Sequence, residues 1–464
     1  MDRRSLLKII SIAGGLSTVE LCRVNPLQDA IDDSRPPDET VIQSTGRFSH
    51  DQLIAYARQY GSPLYIYDGD LILNRFSEFK SAFAANYPKL KIHYAIKANT
   101  NLSIVALLKK AGAAAECISA GEIAISQKVG YAGRDILFTA SSKSSSELLT
   151  AVANGVTINL DSLGDLENLI KIVEQLDRTT RVSFRINPDV DPKTHRHIST
   201  GHKFSKFGIL LQDDEVVKAY STANEHPLIK VCGIHSHIGS QILDLEPFLR
   251  NVDLITGVIG LLKRELGIEL EFINLGGGLG IPYQDNQPPL TPKSVAKPVC
   301  AQLRKAMDEI GYVPELWLEP GRYFVGEAGI LLGQVNSIKT SSIQNFINVD
   351  TGFNHLARPI LYDAYHRVRV LNRNSDVKEF EVAGNICETG DILAHGRQLP
   401  NPEVGDFVAM LDAGAYGFSM ASEYNSFLLP AELLVMGNKA KIIRHRASLE
   451  DLLRNQVLLP ELNG

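Results

Sequence analysis

No run of residues in this sequence is both long and apolar enough to span a membrane, so an integral helical membrane protein is excluded. There is no surplus of basic residues either. The formal net charge is −6, which gives no electrostatic reason to expect nucleic acid or an anionic membrane surface as a partner. Cysteine is scarce: Cys22, Cys117, Cys232, Cys300 and Cys387 are scattered, with no CxxC pair. Such an odd, sparse set is no disulfide framework and suits a reducing compartment, the cytoplasm. No histidine cluster at zinc-ligand spacing is present, so no metal site is expected. Internal repeats, beyond the strand–helix alternation described below, and low-complexity tracts are also missing.

What is present is the composition of a folded protein, 464 residues of which 44% are hydrophobic and 22% charged. That length exceeds one typical core, so two domains are expected. The amino terminus, Asp2-Arg3-Arg4-Ser5-Leu6-Leu7-Lys8 followed by IISIAGGLSTV, has the form of a twin-arginine export signal, which would place the protein in the periplasm instead. The plainer reading is a basic, disordered leader, and no small-x-small cleavage site stands out before the polar stretch 29–40. Residues 1–45 read as leader and linker.

A helix is expected over 49–60 with Ser49 as its cap, then a strand over 63–67 and an amphipathic helix over 71–86. Residues 46–70 are expected to pack on the second domain. From 71 to 325 short apolar strands alternate with helical stretches. The strands fall at 91–97, 113–119, 135–140, 156–162, 181–188, 230–239, 271–278 and 315–322. Eight such repeats predict an α/β fold of the (β/α)8 TIM-barrel type, with an open doubly wound sheet as the alternative. Beyond residue 326 the helical rhythm gives way to β-rich runs at 329–339, 344–353, 368–373, 378–386, 407–416 and 431–443. A mainly antiparallel β domain, 326–464, with a closing helix over 447–460 is therefore expected.

Chemistry-bearing residues gather at the carboxyl ends of the barrel strands, the end that carries the active site in this architecture: Lys97, Ser119, His237, Ser240, Gly276 to Gly278, Glu319 and Arg322. A lysine just beyond a strand is ordinarily solvated; its place in this ring makes Lys97 a candidate. Gly276-Gly277-Gly278-Leu279-Gly280 can bring backbone N–H groups up to a phosphate, or can simply make a tight turn. Glu319 and Arg322, in EPGR, can face a protonated ring nitrogen and an anion, or can pair with each other. His235 and His237 sit on one strand, and only one of them, His237, is expected to face the interior. Cys387-Glu388-Thr389-Gly390-Asp391 gives a cysteine in a polar setting, although a scattered cysteine is usually a small buried hydrophobe. Tyr362 and Tyr416 lie in tyrosine-rich stretches that can offer hydroxyls to an anion or fill a β core.

A lysine, a glycine run and a Glu–Arg pair on one barrel suit pyridoxal phosphate. From about Phe48 to Ile443 the chain resembles the fold-type III pyridoxal-phosphate decarboxylases, the ornithine/diaminopimelate/arginine decarboxylase family. The resemblance is carried by HYAIKAN, FTASSKS, INPDVDPKTHRHISTGHKFSKFGI, HSHIGSQI, NLGGGLGIPY, EPGRYFVGEAG, RPILYDAYH, CETGD and DAGAYGFSMASEYN. It implies a lyase whose cofactor, pyridoxal 5'-phosphate, is held covalently by Lys97 and stacked on by His237. Ser240, Gly278, Gly321, Arg322 and Tyr416 would bind the phosphate end, and Glu319 would pair with the ring nitrogen. Arg322, Arg358, Tyr362, Glu388 and Tyr416 would hold the amino-acid substrate, and Cys387 would return a proton. It further implies a homodimer in which Cys387 and Glu388 serve the neighbouring protomer's site. The substrate implied is meso-2,6-diaminopimelate, with L-lysine and carbon dioxide as products. Thr389, Asn385-Ile386 and His355 depart from the common pattern, which keeps open a relative acting on D-ornithine, D-lysine or a carrier-bound or siderophore-pathway substrate.

Overall fold

The structure, a computed structural model, describes residues 46–190, 192, 195, 200, 201, 205–211 and 214–462. The leader and the twin-arginine-like segment lie outside the described residues. The chain enters through α1 (His50–Tyr60), where Ser49 caps the helix and exchanges bonds with Gln52. β1 (Leu64–Asp68) and α2 (Gly69–Ala84) follow, the latter capped by Asp68.

The barrel then runs β2 (Leu90–Ala95), α3 (Leu102–Ala111), β3 (Ala114–Cys117), α4 (Ala120–Lys128), β4 (Ile136–Phe138), α5 (Ser145–Ala153), β5 (Thr157–Leu160), α6 (Leu163–Leu176) and β6 (Thr180–Asn187). It continues with the two-residue β7 (Ile209–Leu210), α7 (Glu215–Glu225), β8 (Ile229–His235), α8 (Glu246–Leu266), β9 (Phe272–Asn274), α9 (Pro292–Ile310) and β10 (Glu315–Leu318). The strands are parallel in the order β5-β4-β3-β2-β10-β9-β8-β6, and β5 pairs with β6 to close the ring. Each of the eight expected strands is found, and closure decides against the open sheet. The interior is a filled core. Trp317 stacks on Phe272 at 3.6 Å between ring centroids, and a Cβ on Gly233 would come within 2.2 Å of the Phe272 ring. Glu116, Asn159, Ser183, Arg185 and Asn274 form part of a buried polar set on the same strands. Charged groups in such a place need partners, and they mark the site.

After the short α10 (Arg322–Val325) the second sheet begins. It comprises β11 (Gly329–Thr340), β12 (Asn345–Val349), β13 (Val368–Val370), β14 (Val377–Ala383), β15 (Ile392–Pro400), β16 (Phe407–Met410), β17 (Ala431–Met436) and β18 (Lys439–Arg444), with α11 (Arg358–Tyr362) between β12 and β13. Only the β1–β17 and β12–β14 pairings are parallel. β1 lies inside this sheet, between β11 and β17. Its alternate residues face two ways, as strand geometry requires: Leu64 and Ile66 join the core under α1, while Tyr65 and Tyr67 join the core shared with the barrel.

Two features depart from expectation. β15 was not anticipated; it is an edge strand, carries Gly396 and Pro400, and leaves His395, Gly396 and Gln398 exposed, so it shows no apolar run to read. The closing helix is only Leu449–Leu453 (α12), with a one-turn 3-10 segment at Pro460–Leu462. Among the described residues no helix is long and apolar enough to cross a membrane, and no group of three or more His, Cys, Asp or Glu is placed to hold a metal ion.

Candidate active site

β2 ends in a single 3-10 turn, Ile96–Ala98, that projects Lys97 at the mouth of the barrel. The loop after it is tied to the second sheet rather than left free. Tyr416 N–H donates to Ala98 O at 2.8 Å, and Asn99 Nδ2 donates to Gly414 O at 3.2 Å. Asn101 caps α3 and donates from Nδ2 to the fully buried Glu432 at 2.8 Å. Glu432 also accepts from the Tyr67 hydroxyl at 2.7 Å and from Arg444.

Lys97 Nζ donates to Glu116 Oε2 at 2.6 Å, and the Thr139 hydroxyl donates to the other Glu116 oxygen. Burial disfavours the Lys97 ammonium, but Glu116, then Tyr416 and Glu319, more than offset it, and its pKa is raised. The cavity around Lys97, about 330 Å³, is lined also by Glu116, Thr139, Arg185, His235, His237 and Glu319. Glu319 accepts from Asn274 Nδ2 at 2.7 Å and from His235 Nε2 at 3.2 Å. Burial alone would raise its pKa; the charge and hydrogen bond of His235, with Lys97 beyond, hold it well below the usual carboxylate range. His237 is held neutral by burial and by the nearby charges of Arg185 and Lys97, and its Nδ1 accepts from Gly277 N–H at 3.2 Å.

The expectation that only one of His235 and His237 faces the interior is corrected. Residues two apart on a strand share a face, and both line the same cavity. Glu319 and Arg322 do not pair with each other either; each is bonded to separate groups. Arg322 Nη1 donates to the Tyr283 hydroxyl at 2.7 Å and Nη2 to Ser240 Oγ at 3.1 Å. Ser119, counted among the candidates, caps α4 instead.

Around Ser240 the glycine run is forced by space as well as by dihedral angle. A Cβ on Gly277 would sit 2.2 Å from Glu319 O, and Gly278, at φ 110°, would meet Gly239 O at 2.8 Å. Gly321 packs so closely on the end of β2 that a Cβ would lie 3.0 Å from that of Ala95. Arg322 and Arg358 both line a neighbouring cavity of about 450 Å³, with Tyr283 and Tyr362. The Arg322 guanidinium lies 4.9 Å from the Tyr416 ring centroid, and that of Arg358 lies 4.5 Å from Tyr283. Arg322 is 5% exposed and Arg358 4% exposed. Among the described residues their hydrogen bonds go to neutral partners alone.

Cys387 and Glu388 are exposed and line neither cavity of their own chain. Cys387 is thus not a buried filler. Its N–H donates to Asn425 Oδ1 at 2.9 Å, and Glu388 accepts from the Tyr424 hydroxyl at 2.6 Å. Several lining or supporting residues were not anticipated: Glu116, Arg185, Asn274 and Tyr283. For Glu116 and Arg185 the available signal was a charged residue inside an apolar strand.

A buried arginine bonded, among the described residues, only to hydroxyls, beside a serine and a glycine turn, awaits an anion. A lysine, a neutral histidine and a carboxylate kept ionised stand around the adjoining space. This donor set fits pyridoxal phosphate, with its phosphate, carbonyl carbon and basic ring nitrogen. Fold and site together define a pyridoxal-phosphate-dependent barrel enzyme.

Comparison with known proteins agrees. Residues 70–326 match the family described as pyridoxal-dependent decarboxylase, pyridoxal binding domain. The chain is 40% identical to the diaminopimelate decarboxylase of Archaeoglobus fulgidus, over 87% of this chain and 94% of the relative. It is 41% identical to that of Methanothermobacter thermautotrophicus, over 87% and 93%. Among solved structures, the Methanocaldococcus jannaschii diaminopimelate decarboxylase in complex with L-lysine superposes with a TM-score of 0.84 at 36% identity, covering 89% of this chain and 95% of the other. The Helicobacter pylori enzyme, also with L-lysine, gives 0.81 at 36%, covering 87% and 98%. The chain belongs to the pyridoxal-dependent decarboxylases and is a carboxy-lyase that uses pyridoxal 5'-phosphate.

Proposed function

We propose that the protein converts meso-2,6-diaminopimelate to L-lysine and carbon dioxide. The observation that carries the substrate choice is Arg358, a buried guanidinium in a cavity wall with no carboxylate bonded to it among the described residues. A substrate with a second amino-acid centre supplies that carboxylate. The names of the relatives, diaminopimelate decarboxylases at 36–41% identity, support the same choice.

Lys97 would hold the cofactor, and Glu116 gives the lysine ammonium a resting place when the substrate amine replaces it. Ser240, Gly278, Gly321, Arg322 and Tyr416 would hold the phosphate, and His237, neutral, would lie against the ring. Glu319, kept ionised by His235 and Asn274, would keep the ring nitrogen protonated. When bound, the cofactor supplies the sink for the electron pair left as carbon dioxide departs. Arg322, Arg358, Tyr362 and Tyr416 bind substrate carboxylate and orient it, Glu388 takes the distal ammonium, and the Cys387 thiol returns a proton to the carbon that lost its carboxylate.

For Cys387 and Glu388 to act, they must reach a site other than their own chain's, and we place them in that of a second copy, as a homodimer. Exposed Ile360 and Leu361 on α11 and exposed Tyr424 beside Glu388 offer the apolar surface such a contact buries. Gly390, in the same loop as Cys387, lies against Ile360. A division into a barrel over 71–325 and a β domain over 326–464, with 46–70 packed on the β domain, is the organisation we infer from the pairing of β1. The scarcity of cysteine supports a cytoplasmic location.

The test is carbon dioxide release from meso-diaminopimelate and from lysine, ornithine and arginine in both configurations. meso-Diaminopimelate is expected to exceed the others in kcat/KM by at least about a hundredfold, and Lys97→Ala to abolish both turnover and the visible absorbance of the lysine-bound cofactor. Preference for D-lysine or D-ornithine would replace the substrate, and turnover retained in Lys97→Ala would overturn the catalytic assignment.

A further inference from the structure

The segment that carries Arg358 ends in a histidine, His366, to which none of the roles above is given. His366 is fully buried. Its Nδ1 lies 2.8 Å from Leu411 O and its Nε2 lies 2.8 Å from Arg358 Nη1. A carbonyl oxygen only accepts, so Nδ1 carries the proton; a guanidinium only donates, so Nε2 presents its lone pair. The two partners together admit one state of the ring, the neutral Nδ1–H tautomer. Burial, and then the charge of Arg358, push its pKa well below the ordinary histidine value, in agreement with that state.

The anchor is rigid. Leu411 directly follows β16, and its own N–H is held by Arg367 O at 2.8 Å, so the imidazole hangs from the backbone of the second sheet. Tyr283 and the imidazole meet edge to face with centroids 5.5 Å apart, and Arg358 lies over the ring of the same phenol. Imidazole and phenol therefore fix where the guanidinium sits without neutralising it. A carboxylate in place of His366 would be a permanent counter-ion, which an incoming substrate carboxylate would have to displace. An apolar residue there would leave a buried donor without an acceptor and the guanidinium free to turn.

We propose that His366 is a positioning residue that keeps Arg358 an uncompensated cation facing the substrate cavity, and thereby sets the preference for amines that carry a distal carboxylate. The inference rests on the reading that Arg358 binds that carboxylate. Three holoenzyme variants test it, His366→Leu, His366→Gln and His366→Glu, with meso-diaminopimelate as substrate and L-lysine and 1,5-diaminopentane as binding probes. In His366→Leu the KM for meso-diaminopimelate and the Kd for L-lysine are expected to rise about tenfold to a hundredfold, the range of one lost hydrogen bond to a charged group. In the same variant, kcat, the visible cofactor absorbance and diaminopentane binding stay near those of the parent. His366→Gln, whose amide oxygen can accept from Arg358, recovers most of the loss. His366→Glu loses at least as much as His366→Leu, because it neutralises Arg358. A purely structural role would weaken both probes and the cofactor signal alike, and that result overturns the proposal. An L-lysine Kd in His366→Leu within about twofold of the parent overturns it as well. If the parent itself neither decarboxylates meso-diaminopimelate nor binds L-lysine, the substrate reading has failed, and the assignment of His366 falls with it before any variant is compared.

Discussion

Single residues divide the site by the kind of partner each charge has. Lys97 and Glu319 have charged or strongly donating partners and are fixed in one protonation state, whereas Arg322 and Arg358 are bonded to neutral groups and remain available to anions. Glu122, near Glu116, is the exception with a thermodynamic consequence. Burial, then the Glu116 charge, push its carboxyl up to about 7, against about 4.3 for a free glutamate. The folded state thus binds this proton more tightly than the unfolded chain does. Its contribution is level below about pH 4.3, falls as pH rises to about 7 and is level again above that. Urea unfolding of parent and Glu122→Gln between pH 5 and 7.5 should differ in slope, the parent losing on the order of 2–3 kcal/mol relative to the variant over the full interval. Parallel curves would show that Glu122 ionises freely in the fold.

Secondary-structure elements explain why Lys97 is held so firmly. α3 starts immediately after the lysine loop, and its cap, Asn101, is also a ligand of Glu432 on β17. One side chain therefore joins the barrel to the second sheet beside the Lys97 turn. Asn101→Ala removes a helix cap and a hydrogen bond to a buried carboxylate, and should lower stability by about 2–4 kcal/mol. Asn101→Asp keeps the cap but sets a second carboxylate against Glu432, so it should not rescue the loss. Denaturant midpoints check both; an Asn101→Ala midpoint equal to the parent's would mean that the loop is moored by its backbone bonds alone. The eight barrel strands were legible because each is a short apolar run between helical stretches. β15 was not, since an edge strand with a solvated face leaves no such trace. The shortness of α12 was not legible either, because 447–460 carries leucines at helical spacing that the fold leaves exposed, as at Leu449, Leu453 and Leu458.

For the whole molecule, the placement of Cys387 on the surface sets the decisive experiment. If it serves a second copy, mixing dissociated Lys97→Ala and Cys387→Ala chains and letting them reassociate should regenerate activity, because half of the dimers then contain one intact site. Random pairing gives about a quarter of the parental rate. Activity no greater than the sum of the separate variants would place Cys387 in its own chain's site or outside the chemistry altogether.

The sequence by itself determined the alternation of strands and helices and the candidate reactive groups. Short apolar runs alternating with helical stretches specify helix-covered parallel strands, whose closure the β5–β6 pairing then decides, and Lys97, the glycine run and Glu319 with Arg322 follow the ends of three of those strands. The tertiary structure alone decided the partners: that Glu319 belongs to His235 and Asn274 rather than to Arg322, that Glu116 holds Lys97, and that His366 supports Arg358. Hydrogen bonds of this kind join residues 19 to 84 positions apart, and in one case eight. Such pairings depend on strand register and barrel closure, which fix distances to a fraction of an ångström and leave no periodic signal along the chain.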